Sequence, residues 1–159
     1  SLPCMLLRYL YMECSDQGRQ LKNDLNFRYA GVSDLPFMQQ QDDEVFEPKT
    51  LLKESVERKG IIILEQGDQI AGCGFLTQVV AEYPYCDLGV WVDPAFRRQG
   101  YAIQIMLYMM RICHDNGWLP ICGCDAENTP SQGLLSKIGF ICNFKLLEFD
   151  TTNLKLYNE

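Results

Sequence analysis

Histidine is almost missing from this sequence: His114 is the one example in 159 residues. No Cys-x-x-Cys pair occurs either, which closes the usual routes to a zinc site, and no metal is expected. Basic residues are also short. Fourteen Lys and Arg stand against twenty-one Asp and Glu, a formal charge of −7. A general nucleic-acid binder needs a basic face, so no nucleic-acid partner is expected. No apolar run approaches the roughly 18 residues a spanning helix needs, so no membrane association is expected. The apolar segment LPCMLLRYLYMEC (residues 2–14) is interrupted by Arg8, and no small-residue cleavage site clearly follows it.

Cysteine, by contrast, is plentiful. Its eight copies sit singly inside apolar runs such as GCGF, MRICHD and FICNF, as small core hydrophobes do. A chain of this length buries a core without disulfides, so a reducing cytoplasm is the expected setting. Cys122 and Cys124 would share one face of a strand, and core packing accounts for them better than a metal does.

The chain reads as residues 1–23, an N-terminal extension whose apolar part fits helix or strand equally, followed by one domain over residues 24–159. LNFRYA (25–30) alternates like a strand. Ser33 and Asp34 stand as candidate caps before a first helix, and KTLLKESVERKG (49–60) reads as a second helix ended by Gly60. Two β runs flank QGDQ (66–69), a hairpin signal. YCDLGVWVD (85–93) is a further strand, broken by Pro94. A helix runs from Gly100 to Asn116, with Ala102, Met106, Met109 and Cys113 on one face and Gly117 as its stop. WLPICGCDA is a strand. TPSQGLLSKIG is a short helix with Thr129 as cap, and FICNFKLLEFD, with NLKLY after it, closes the chain as strands. The order β α α β β β α β α β β describes an α/β (α+β) protein: a mixed, mostly antiparallel sheet of about six to seven strands flanked by about four helices.

The chemistry concentrates in DPAFRRQGYA (93–102), a loop between a strand and a long helix. A helix N-terminus carries unpaired N–H groups and partial positive charge. Gly100 lets a ligand approach the main chain, Ala102 keeps the next turn thin, and Arg97 and Arg98 add donors with phosphate geometry. Together they describe a pyrophosphate cradle. The spacing Arg-x-x-Gly-x-Ala is neither the Walker nor the Rossmann pattern.

With its flanks, this segment resembles the GNAT superfamily of N-acetyltransferases. LGVWVDPAFRRQGYAIQIMLYMM is similar to the family's strand, acyl-CoA pyrophosphate loop and following helix, and AENTPSQGLLSKIGF (126–140) to its next helix with a closing Gly-Phe. The resemblance spans roughly residues 25–150 and implies the GNAT acyl-CoA N-acyltransferase fold, with acetyl-CoA as co-substrate and no metal. By the same resemblance the main chains of Val90 and Val92 pair with the pantetheine arm. A main-chain N–H at or near Val90 faces the thioester oxygen. The main chain of Arg97, Arg98, Gln99, Gly100, Tyr101 and Ala102 holds the pyrophosphate. Asn128 matches the family's cofactor-contacting Asn, although in ENTP it is equally a turn residue.

The pattern departs in one place. The family's Tyr, which protonates the leaving thiolate, is Leu135 here, with Ser136 next to it as a substitute donor; Tyr101 and Tyr108 read as packing or surface residues. An amine acceptor must lose a proton before it attacks, and Asp87 and Glu82 are the candidate bases. His114, at the end of the long helix, is a weaker one. The acidic run QQQDDEVFE (39–47) borders the implied acceptor side and is either a solvated face or an attractant for a cationic acceptor. The resemblance therefore implies transfer of an acetyl or short acyl group to a small-molecule or peptide primary amine, by a monomer or homodimer. The alternative, kept open by Leu135, is a GNAT-fold acyl-CoA sensor or regulatory module.

Overall fold

The computed structural model describes residues 4–11 and 20–148. In chain order its elements are β1 (Cys4–Tyr11), β2 (Asn26–Tyr29), α1 (Leu35–Gln39), α2 (Leu52–Glu57), β3 (Ile61–Gln66), β4 (Gln69–Gln78), β5 (Tyr85–Val92), α3 (Tyr101–Asp115), β6 (Leu119–Asp125), α4 (Thr129–Lys137) and β7 (Phe140–Glu148). The seven strands form one sheet in the order β2-β3-β4-β5-β6-β1-β7. Every neighbouring pair is antiparallel except β5 and β6. The expected mixed sheet with four helices is thus the observed one.

Both faces of the sheet are covered, which explains why Ile61-Ile62-Ile63-Leu64 is continuously apolar rather than alternating. Ile61 and Ile63 face α1 and α2 with Met38, Phe46 and Trp91, whereas Ile62 and Leu64 face α3 with Ile105 and Met109. All four are fully buried, each worth about 1.5–3 kcal/mol. On α3 the buried side chains are Gln104, Ile105, Met106, Met109 and Cys113. Three of the four residues expected on that face, Met106, Met109 and Cys113, are thus buried, whereas Ala102 is only half-buried.

The sheet lets α3 come close by giving up side chains. A Cβ placed on Gly72 would lie 2.6 Å from Ile105 Cδ1 and 2.7 Å from the Trp91 carbonyl oxygen. On Gly74 it would meet Ile62, Met109 and Ile105, all within 2.9 Å.

Local chemistry sets the turns. Asp34 stands at the N-cap position of α1, but its side chain caps no amide of that helix and instead accepts from the upstream Gly31 N–H at 2.7 Å. The same carboxylate receives Arg28 in a two-point fork, Nη1 to Oδ2 at 2.8 Å and Nη2 to Oδ1 at 2.9 Å. Arg28 Nε also donates to Glu65 at 2.6 Å, tying β2 to β3. These bonds from Arg28 hold the Asp34 carboxyl below the usual carboxylate range. The cap of α4 differs from expectation. Asn128, not Thr129, is the N-cap, accepting from the Ser131 N–H at 3.1 Å, and Thr129 is already helical. An amide oxygen one residue earlier reaches the helix's free N–H groups, and Pro130 is tolerated behind it because it has none to offer.

Residues 4–11, which fitted helix and strand alike, are a strand, and not a peripheral one. β1 lies between β6 and β7, antiparallel to both. The chain then passes α3 on its way to β2, and buried Gln104 secures the crossing: its Oε1 accepts from the Lys22 N–H at 2.9 Å. The expected final strand at NLKLY lies outside the described residues. No helix among the described residues is long and apolar enough to cross a membrane.

Candidate active site

β5 and β6 pair only from Tyr85/Leu119 to Asp87/Ile121. Both strands continue, β5 to Val92 and β6 to Asp125. Two parallel strands that lose their ladder open a wedge. On its other edge β5 pairs with β4 without a register shift from Cys86 to Val92. The Asp93 N–H donates to the Ala71 carbonyl at 3.0 Å. In an antiparallel ladder, residues alternate between bonding the partner and facing away from it. Trp91 and Gly89 therefore bond β4, and the main chains of Leu88, Val90 and Val92 turn toward the wedge.

A cavity of about 890 Å³ fills this wedge, within the range of small-molecule sites. Asp87, Gly89 and Val90 line it from β5, Cys122 to Asp125 from β6, and Arg8 from β1. Leu134 and Leu135 close it on the α4 side, and Asp43 to Pro48 on the α1–α2 side. The opening therefore reaches both faces of the sheet.

Asp87 sits where the ladder ends, its side chain about one-third exposed (35%). Burial pushes its carboxyl above the usual range, opposed by the Arg8 guanidinium and by the Leu88 N–H. The nearest approach to that guanidinium is 3.8 Å, Arg8 Nη1 to Asp87 Oδ2.

Beyond the wedge β5 leads into a single 3-10 turn, Pro94–Phe96, capped by Asp93 Oδ1 accepting from the Ala95 N–H at 2.8 Å. Arg98 then adopts φ 62 and Gly100 φ 81, the left-handed region that a non-glycine side chain occupies only at some cost. No side chain caps α3. The first helical N–H to find an acceptor is that of Gln104, on the Gly100 carbonyl at 3.3 Å. A Cβ on Gly100 would meet nothing within 4 Å. The start of α3 thus combines unclaimed amides, open space and Arg97 and Arg98, both exposed. That donor set fits a pyrophosphate.

The other candidates divide. Asn128 lines the cavity while its oxygen caps α4; among the described residues no hydrogen bond engages its Nδ2. Val90 lines the cavity, whereas the Val92 carbonyl is taken by Arg97 Nε at 3.0 Å. Gln99 is exposed in the loop, and Tyr101 and Ala102 form the first turn of α3, with Tyr101 packed near Phe96. Glu82 is exposed in the β4–β5 connection and Ser136 on the outer side of α4; neither lines the cavity. His114 is exposed beside Asp115. Tyr108 stacks on Phe27 with ring centroids 4.2 Å apart, a packing role. Leu135, buried, faces the cavity where an acid was sought.

A sequence model of the Acetyltransferase (GNAT) family matches residues 20–140, most of the chain. The chain belongs to the GNAT acetyltransferase family. No curated protein matches it. Among solved structures, this GNAT chain is similar to a GNAT-family acetyltransferase from Colwellia psychrerythraea, at TM-score 0.73 and 19% identity, over 91% of this chain and 54% of that one. It also resembles yncA from Salmonella typhimurium, assigned to the acetyltransferases and solved with its cofactor acetyl-CoA, at TM-score 0.62, 14% identity, 74% of this chain and 79% of that one. A third is a ribosomal-protein-alanine N-acetyltransferase from Brucella melitensis, at TM-score 0.59, 20% identity, 74% of this chain and 85% of that one. At these identities the likeness is one of fold. The present chain spans little more than half the length of the Colwellia protein.

Cys124, expected with Cys122 as core packing, also lines the cavity. One group in this GNAT site belongs to none of the motifs. Arg8 was visible only as an interruption of an apolar run. The alternation Leu7-Arg8-Tyr9 is the signal: Leu7 and Tyr9 pack into the core on the α3 side, which puts Arg8 on the opposite face with Asp87.

Proposed function

We propose that this chain transfers an acetyl or short acyl group from CoA to a primary amine by direct attack in a ternary complex. The observation that carries the reading is the wedge between β5 and β6, open to both faces of the sheet with Asp87 where the ladder ends. One substrate can enter from the loop and α4 side and the other from the α1–α2 side, meeting beside Val90.

Bound there, acetyl-CoA supplies an activated thioester. The amides at the start of α3 and the two arginines hold its pyrophosphate, and free main-chain groups of β5 at Leu88 and Val90 hydrogen-bond its arm. An N–H at Val90 stabilises charge developing on the carbonyl oxygen. Asp87 takes the proton that an ammonium acceptor must lose, a task suited to a carboxyl that burial raises above its usual range. Asp43, Glu44 and Glu47 line the same cavity on the acceptor side, where they favour a cation. The buried free thiols Cys73, Cys86, Cys113 and Cys122 suit a reducing compartment, and we place the protein in the cytoplasm.

Leu135 supports a second reading. A buried leucine facing the thioester side cannot donate a proton, so binding without turnover, as in an acyl-CoA sensor, is the alternative. Asp87→Asn separates the two. In an enzyme it leaves acetyl-CoA affinity intact and removes most amine-dependent thiol release. Equal release from wild type and variant clears Asp87 of the role. Binding with no release from either protein favours the sensor.

A further inference from the structure

We propose that Arg8, carried on the N-terminal strand β1, is a positioning residue that keeps the Asp87 carboxylate ionised and aimed into the wedge between β5 and β6. The proposal rests on the reading of Asp87 as the base and adds to it a part of the chain that the family match over residues 20–140 does not include.

Three features of the fold converge on this role. First, β1 is an interior strand with neighbours on both sides, so Arg8 is held from both edges: it lies opposite Gly123 of β6 and opposite Phe144 of β7, where the β1–β7 ladder shifts register between Arg8 and Tyr9. Second, Gly123 leaves the guanidinium its place. A Cβ there would fall 2.8 Å from Arg8 Nη1, 3.3 Å from Cδ and 3.4 Å from Cζ, so the side chain lies flat across the β6 backbone. Third, the guanidinium ends 3.8 Å from Asp87 Oδ2, and both groups line the cavity. That spacing is too long for a hydrogen bond and short enough for strong electrostatic influence. It leaves the carboxylate oxygen free to accept a proton from an acceptor.

The other groups around Asp87 push the opposite way or are remote in charge. From the acceptor side, Asp43, Glu44 and Glu47 line the cavity as like charges, with Arg58, paired to Glu54, as the counter-charge on that wall. On β6 the Cys122 thiol is buried and held protonated. The Cys86 thiol, one residue away, lies on the other face of the sheet and hydrogen-bonds Cys113. Arg8 is therefore the cation that offsets the desolvation of Asp87. Without it, burial and the acidic wall are opposed only by the Leu88 N–H and the more remote Arg58, and the carboxyl takes up its proton at a higher pH.

The experiment is a carboxyl ¹³C NMR titration of the full chain without ligands. The Asp87 resonance is assigned by its loss in Asp87→Asn. Arg8→Met should move its midpoint up by roughly one pH unit, the low end of what an opposite charge at this range does when water screens it. Arg8→Lys should restore most of the difference. Acetyl-CoA affinity, measured alongside, should stay within about twofold in both variants. A midpoint unmoved in Arg8→Met overturns the proposal, as does one that moves equally in Arg8→Met and Arg8→Lys, because the effect would then not be charge. If Arg8→Met does not fold, Arg8→Gln, a polar chain without the charge, gives the same reading on a folded protein. Whether Asp87 is the base is a separate result, read from turnover of Asp87→Asn, so failure of the one idea is told apart from failure of the other.

Discussion

Gly100 offers the sharpest single perturbation, because its structural and ligand costs can be separated. It leads α3 at φ 81, and an added Cβ meets no heavy atom within 4 Å. Replacing it therefore costs backbone strain alone, about 1 kcal/mol, and less for Asn or Asp, which tolerate the left-handed region. A stability loss of that size lowers Tm by roughly 2–4 °C in a chain of this length. The cost to binding is much larger for one residue only. Asp puts a negative charge where the pyrophosphate is expected. At about 4 Å the repulsion lies between about 1 kcal/mol in water and about 4 kcal/mol near a protein surface. That range corresponds to a loss of affinity from about fivefold to about a thousandfold. Asn has the same shape and nearly the same strain without the charge. Isothermal calorimetry with acetyl-CoA on Gly100→Asn and Gly100→Asp thus isolates electrostatics as the ratio of two Kd values, and that ratio should shrink as salt is raised. Equal affinities for the two variants, with both folded, would refute the cradle.

Other expectations follow from the same structure. Asp87 has its folded-state pKa raised by burial, so its contribution to stability is present at low pH and is lost as pH rises through that value. Asp87→Asn should therefore hold or slightly raise Tm at neutral pH, and a clear drop would contradict the burial argument. Asp34 is the reverse case: Arg28 lowers its pKa, so its stabilisation is present at neutral pH and lost as pH falls through the folded value. Asp34→Ala removes the two-point fork and the acceptor of the Gly31 N–H, leaving Arg28 to Glu65 alone, and should cost about 1–3 kcal/mol in urea unfolding at pH 7, less at pH 3. Gly72→Ala drives a methyl against the Trp91 carbonyl, which cannot move aside. It should cost about 1–3 kcal/mol and, by displacing α3, also weaken acetyl-CoA binding; a wild-type Tm would show that the sheet yields there.

Local patterns carried most of the fold. The β3–β4 hairpin was legible from QGDQ between apolar runs, and α3 from its periodicity and the glycine after it. Met106, Met109 and Cys113 were legible as the buried face of α3, whereas Ile105 was not, because tight packing on Gly72 and Gly74 selects it, a contact between segments some thirty residues apart. The α4 cap was misplaced by one residue because Thr and Asn are both good caps and only geometry decides between them. β1 was undecided for a deeper reason: seven apolar residues interrupted by one arginine fit either period, and what makes them a strand is the pairing with β6 and β7 at the far end of the sequence. The candidate site divided the same way. The loop at 97–102 is contiguous and could be read directly. The wall formed by Arg8, Asp87 and Asp125 joins three strands, and no spacing rule links them.

The central claim is that the wedge between β5 and β6 moves an acyl group from CoA to an amine. It is tested most directly by released-thiol measurement with acetyl-CoA against a broad panel of amines, amino acids, aminoglycosides and peptides, each product confirmed by mass. The account predicts amine-dependent thiol release with a matching acetylated product for at least one class. Tight acetyl-CoA binding with no release across the whole panel would contradict it.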